Sequence, residues 1–271
     1  MDQDNVKSTA EAASELLKSV PIYQDALQPA MIEIGKNLET VAKTVRIALS
    51  PLSALVWGYE QISEYLESAL TYRLQGLPLD RIKTPSIAIA GPAIQSLSFA
   101  SDLPELREMW ANLIATSMDI EVSHKAHPSF VEVIRQLDPN EALIINCFAS
   151  KRYQPWPMVH ICTDIKPSPE TEMRGYILTP YRNISLLPII AGCSAPDLYS
   201  AHIDNLVRLG LVELLQGRLG HNDMVRELYN SELLQGKLAY LESAAYKLYC
   251  DDYMIKMTDF GQLFIDSCVT S

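Results

Sequence analysis

The sequence predicts a mainly α protein in two parts. Residues 1–137 read as an N-terminal helical, bundle-like domain, and residues 138–271 as an α+β, winged-helix-like domain with an inserted helix at about 222–249. Three observations carry this expectation. Apolar residues recur at spacings of three and four through the first eighty residues, the period of a helix face. Well-signposted helix starts follow between Asp102 and Asn140. Beyond Tyr153, short β-branched runs alternate with helices and end in HIDNLVRLGLVELL (His202–Leu215) and MIKMTDFGQLFIDSCV (Met254–Val269). Those two stretches read as a helix entering a strand, then a strand entering a helix.

In chain order, helix formers dominate Ser8 to Ser19 until Pro21 stops them. A longer run from Gln24 to about Leu49 sets Leu27, Met31, Ile34, Leu38, Val41, Val45 and Leu49 on one face. Pro51 is expected to kink or end it. A third helix fits Ala54 to about Leu74, with Leu55, Tyr59, Ile62, Leu66 and Leu70 on one side. Such stripes are core, and a region this long and poor in turns also suits packing against a second copy. A homo-oligomer through the N-terminal helices is therefore expected.

Leu74 to Pro92 reads as an ordered connection, because Pro85, Gly91 and Pro92 bar a continuous helix. Asp102-Leu-Pro-Glu105 is a capping box opening a helix with Leu106, Met109, Trp110, Leu113 and Met118 on one face. His127-Pro128 opens the next, with Pro128 in the first turn, where its missing N–H costs nothing. Asp138-Pro139-Asn140-Glu141 repeats the cap logic for a helix to about Lys151.

Met158–Cys162 reads as a strand and Gly175–Leu178 as a second. Helix returns near Ala195 and stops at Gly210, a natural residue just past a helix end. Leu211–Leu215 is strand-like, Gly217–His221 a turn, and Met224 to about Leu248 a helical run loosened by Gly236. Tyr253–Met257 is a strand, and Thr258 caps a closing helix that carries Phe260, Leu263, Phe264 and Cys268.

The 271 residues carry a net charge of −11. That repels phosphate backbones and argues against a life on nucleic acid. Cys147, Cys162, Cys193, Cys250 and Cys268 are widely spaced, with no Cys-x-x-Cys pair, so neither a zinc knuckle nor a redox motif is present. The N-terminus MDQDNVKSTAEAASELL has no basic and no apolar region of a secretory signal, so a cytoplasmic protein is expected. Three uncharged stretches, Ile47–Tyr59, Thr84–Ser101 and Asn183–Pro196, are short or interrupted by proline and read as buried core.

A winged helix raises the question of DNA, with Ala195–Leu209 in the recognition position. That stretch offers Arg208, His202 and Asn205, but also Asp197 and Asp204, and residues 139–271 carry 11 basic against 15 acidic side chains. About thirty residues holding a helix stand where a short wing turn belongs. The frame is therefore expected to serve protein contact or packing. A DNA-binding regulator is the alternative, and it would need Arg208, Arg218 and Arg226 on one surface. A second alternative is a membrane-acting effector that releases Ile47–Tyr59, whose action would be lost on Trp57→Asp.

No phosphate loop, dinucleotide fingerprint or nucleophile elbow occurs. The one polar constellation with a catalytic look is MDIEVSHKAH, with Asp119, Glu121, His124 and His127. Two histidines and two acids at this spacing suit a metal, yet His127 stands before a proline, where a helix-capping role explains it more simply. No catalytic, cofactor-binding or metal site is assigned, and no cofactor or enzymatic activity is expected.

Several stretches together resemble the bacterial family called abortive infection alpha. They are VAKTVRIALSPLSALVWGYEQI (Val41–Ile62), RIKTPSIAIAGPAIQSL (Arg81–Leu97), LPELREMWANLIATSMD (Leu103–Asp119), AHPSFVEVIRQLDPNEALII (Ala126–Ile145), and the pair IDNLVRLGLVEL and MTDFGQLFIDSCV. The resemblance covers most of the chain from about residue 22. It implies a bacterial protein associated with defence against phage and brings no catalytic residue or cofactor with it. The resulting expectation is a non-enzymatic defence protein that acts through a protein partner or through self-association.

Overall fold

A computed structural model describes residues 38–53, 59–99, 103–151, 154–165, 176–195, 198–217, 223–242 and 247–269. The helices expected before residue 38, and Trp57, lie outside these residues. The described chain is mainly helical, with eleven α-helices and one four-stranded antiparallel sheet.

Helix α1 (Leu38–Ser53) and helix α2 (Tyr59–Leu74) form an antiparallel-style pair whose buried stripes are Val41, Val45, Leu49 and Leu52 on one and Leu66, Leu70 and Leu74 on the other. Pro51 lies in the last turn of α1, which runs to Ser53. A proline there has no N–H for the Ile47 carbonyl, and the Ser50 hydroxyl donates to that same carbonyl at 2.9 Å.

The proline-rich connection differs from expectation. Ile87–Leu97 is a helix, α3, with Pro92 inside it and Ile89, Ala90, Ala93, Ile94 and Leu97 buried. An interior proline costs about 3 kcal/mol. Burial of three large aliphatic side chains contributes roughly 1.5–3 kcal/mol each, so packing overrides the local signal.

Helix α4 (Pro104–Met118) is the hub of the helical body. It packs against α2, α3, helix α5 (Ser129–Arg135), helix α6 (Pro139–Ser150) and the C-terminal helix α11 (Asp259–Cys268). It begins at Leu103-Pro104, and Asp102 lies outside the described residues. The capping box of α6 is present in full: the Asp138 side chain accepts from the Asn140 N–H, and the Asp138 N–H donates to Glu141 at 2.9 Å.

The sheet follows from α6. Strand β1 (Trp156–Ile165) pairs with β2 (Tyr176–Ile184); helices α7 (Leu187–Ile190) and α8 (Tyr199–Arg208) lead to β3 (Val212–Gln216). Helices α9 (Asp223–Asn230) and α10 (Glu232–Glu242) then precede β4 (Leu248–Met257). The strand order is β2-β1-β4-β3, so the last strand in sequence is an inner one. The expected single helix from Met224 to Leu248 is two helices meeting at Ser231, and β4 begins five residues earlier than Tyr253. Asp251 and Asp252 hide that start in the sequence. It is set by pairing with β1, in register from Trp156↔Ile255 to Thr163↔Leu248.

One large core runs from Val41 in α1 to Cys268 in α11 and takes side chains from all the helices of the N-terminal body, from α8 and from β3 and β4. The opposite face of the sheet, through Val159, Ile161 and Ile184, is covered by Leu228, Leu234 and Leu241 of α9 and α10. Helix α11 is fixed at both ends. At its start Thr258 accepts from the Gly261 N–H at 2.9 Å, and the Thr258 N–H donates to the Leu211 carbonyl at 3.0 Å. At its end the Asn112 amide donates to the Cys268 and Val269 carbonyls at 3.0 and 3.2 Å.

Candidate functional site

Of the polar side chains that single out α8 in the sequence, His202 turns inward, Asn205 is half-buried, and Arg208 and Asp204 are exposed. The helix ends in a full left-handed cap: Gly210 has φ +72°, its N–H donates to Val207 and the Leu211 N–H donates to Leu206. This fixes the helix so that Tyr199, His202, Ile203 and Leu206 face the core.

His202 and Asn205 both meet Glu141 of α6. The Asn205 amide donates to the two Glu141 oxygens at 2.9 and 2.8 Å, and His202 Nδ1 lies 3.7 Å from Oε1. Burial pushes the Glu141 carboxyl up from its ordinary pKa, while the Asp138 N–H and the Asn205 amide hold it back. Arg208 in turn donates to the Asn205 oxygen at 2.6 Å, and Asp204 on the outer face holds Arg182 at 3.4 Å. A DNA-reading helix aims such groups at phosphates and base edges. Here each is spent on a neighbour in the same chain. Arg226 pairs with Asp223, and Arg218 lies outside the described residues.

A second buried network lies between β1, β2 and α8. Asn183, the one described non-glycine residue with positive φ (+55°), closes β2 and is fully buried. Its oxygen pairs with His160 Nε2 at 3.0 Å, and its amide donates to the Ser200 hydroxyl at 3.2 Å. His160 stacks on Tyr253 with ring centroids 4.1 Å apart. Burial lowers the pKa of His160, which keeps the imidazole neutral at pH 7. Beside Asn183 a cavity of about 460 Å³ opens along β2, with walls from α8 and α10.

The MDIEVSHKAH constellation is taken apart by the fold. Arg81 holds Asp119 with two bonds, at 3.1 and 2.6 Å, and Glu121 at 2.9 Å. His127 caps α5, its Nδ1 accepting from the Ser129 N–H at 3.1 Å, as the following proline implies. His124 is exposed in a short 3₁₀ turn. Among the described residues, no three His, Cys, Asp or Glu side chains are grouped to hold a metal ion. No disulfide links the five cysteines, and burial pushes the thiols of Cys147, Cys193, Cys250 and Cys268 upward, away from the thiolate that a nucleophile needs. Trp110 and Trp156 are core residues, as their type implies.

Sequence reasoning missed the two networks. Glu141 carries a cap signature, which conceals its second role as acceptor for α8. Asn183 had a signal: a lone Asn between a β-branched run and Leu-Leu-Pro is a residue that tolerates the left-handed region.

No helix of the described residues is long and apolar enough to cross a membrane. No curated protein and no solved structure matches the chain. The family model described as abortive infection alpha matches residues 58–268, most of the chain, and the protein belongs to that family.

Proposed function

We propose that this protein is a non-enzymatic component of abortive infection, the bacterial defence against phage, acting in the cytoplasm through protein contact or self-association. Family membership supplies the defence setting. The observation that carries the rest is α8: Asn205 and Arg208 are tied into a chain of bonds with Glu141, buried His202 lies beside that carboxylate, and the outer face shows Asp204, Leu198 and Val207 with Arg208 held against Asn205.

A winged-helix frame turned to packing is part of the proposal. The strands β1, β4 and β3 lie in the side-by-side order of that frame, α8 precedes β3, and α9 and α10 stand where the wing turn would be. Exposed apolar side chains on α7 and at the start of α8 (Ile189, Ile190 and Leu198, each about half exposed or more) favour a protein surface over a nucleic acid. The absence of a recognised catalytic motif and the raised thiols support a non-enzymatic mode. Ala48, Leu49 and Leu52 are buried in the core, which weighs against release of the 47–59 segment to a membrane.

Two measurements on the purified chain test this. Light scattering at tens of micromolar reports an oligomer if the N-terminal helices associate, and a strict monomer removes self-association. Gel shift with a mixed-sequence duplex at low salt gives no complex; a complex whose affinity falls steeply with salt removes the protein-contact reading.

A further inference from the structure

The cavity beside Asn183 has an unusual relation to the strand that floors it. Its lining includes every residue from Thr179 to Ile184 of β2. Two register shifts interrupt the pairing of β2 with β1 between Leu178 and Ile184, and the walls place the cavity at the strand edge, since they come from α10, which covers one face of the sheet, and from α8, which packs on the other. Strand β2 is an outer strand of the sheet. The walls are Leu233 and Lys237 of α10 on one side, and Pro188 with Tyr199 and Ser200 of α8 on the other. The result is a trough along six residues of β2, floored by backbone that has no strand neighbour beyond it among the described residues.

Charge sets what fits there. The trough is lined by Arg182 and Lys237 and, among the described lining residues, by no carboxylate. The groove between α1 and α2 is the opposite, with Glu39, Glu64 and Glu67 against Arg46. In a chain of net charge −11 the trough is a local cationic exception. Its two cations are lightly held. Lys237 lies over the Tyr181 ring at 4.4 Å, and the Arg182–Asp204 pair is 3.4 Å long with both side chains about half exposed, an arrangement worth little and readily exchanged.

We propose that the trough along the free edge of β2 takes an extended, acidic peptide segment of a partner protein, which adds to the sheet as a fifth strand and sets its carboxylates on Arg182 and Lys237. Main-chain bonds to a strand edge supply affinity in this mode, and the flanking side chains supply preference. The elongated shape favours a strand over a compact anion. A second copy of this chain is disfavoured, because edge-to-edge pairing would bring like cations together. Pro180 has no N–H and leaves one gap in the ladder, for a peptide as for a second copy. The proposal deepens the protein-contact reading above and rests on it.

The test pans a random dodecapeptide library over the full-length protein, with the double variant Arg182→Gln, Lys237→Gln as counter-target; circular dichroism checks that both proteins are folded alike. The expected result is enrichment of peptides with net negative charge and no central proline. Such a peptide slows amide exchange in residues 177–184 and binds the double variant at least tenfold more weakly. Enrichment that ignores peptide charge, equal binding to the double variant, protection elsewhere, equal competition by inorganic phosphate, or slowing of the same amides by protein concentration alone each overturns it. If the trough fails while the duplex stays unbound and an oligomer is present, protein contact stands through another surface.

Discussion

At the scale of single residues, Gly261 is the position with least freedom. A Cβ built there meets the Leu211 carbonyl oxygen at 2.0 Å and the Met257 methyl at 2.6 Å. The clash is with backbone that Thr258 also grips, so the helix cannot shift away cheaply. Gly261→Ala is expected to cost about 3 kcal/mol or more, read as a drop in the urea midpoint; a change below 1 kcal/mol would show that the α11 start is softer than drawn. Tyr199 gives a pH dependence. Its hydroxyl is buried beside Ser185 without a hydrogen bond of ordinary length, and burial raises the phenol pKa far above its ordinary value, with Ser185 opposing. The folded state therefore prefers the neutral phenol. The contribution is intact below the ordinary value near 10 and is lost as pH rises beyond it, at up to about 1.4 kcal/mol per pH unit. Tyr199→Phe is expected to leave stability at pH 7 unchanged or higher and to flatten the decline between pH 10 and 11. Some decline stays, because burial and Asp252 raise Tyr229 as well.

At the scale of elements, the helices with side-chain signals were legible and the packing-driven ones were not. Thr258, Gly210 and the Asp138–Glu141 box each announce a helix end through a local bond that the structure contains. Helix α3 could not be read, because Gly91 and Pro92 argue against it locally and only its burial beneath the other helices argues for it. Strand β4 was half legible for the same kind of reason: its first residues become strand by pairing with β1, nearly ninety positions earlier in the chain. The network around Glu141 hid behind residues with simpler readings, Glu141 as a cap and His202 as a reader of DNA. Helix α1 offers a test of how local rules trade. Replacing Pro51 with Ala restores the missing N–H to the Ile47 carbonyl, and a gain of about 1 kcal/mol or more is expected from propensity alone. Thermal unfolding that moves down instead would mean that the proline ring fills space near Leu52 that Ala leaves empty.

At the scale of the whole molecule, the core is continuous from α1 through α4 to α11. The C-terminal helix supplies Phe264, Ile265 and Cys268 to it, and the rings of Phe130 and Phe264 meet edge to face at 5.3 Å. Calorimetry of the full chain is expected to give one transition. Two separate transitions would instead match a division of the body near residue 138. A chain that stops at Thr258 is expected to lose the near-ultraviolet dichroism of the helical body as well as that of the sheet, since α4 would keep its outer stripe but lose its partner. Retained dichroism in that truncation would show that α11 is an accessory.

The placement of β4 and α11 also has a consequence for how each copy is born. Of the four strands, the last in chain order is inserted between β1 and β3, and α11 completes the hub that α4 began. Between the appearance of Met118 and that of Val269, roughly 150 residues must leave the ribosome, which at bacterial elongation rates takes on the order of ten seconds. During that interval α4 has an apolar flank with nothing to cover it. Any event that halts translation midway leaves nascent chains that cannot close, so the supply of finished protein tracks uninterrupted synthesis.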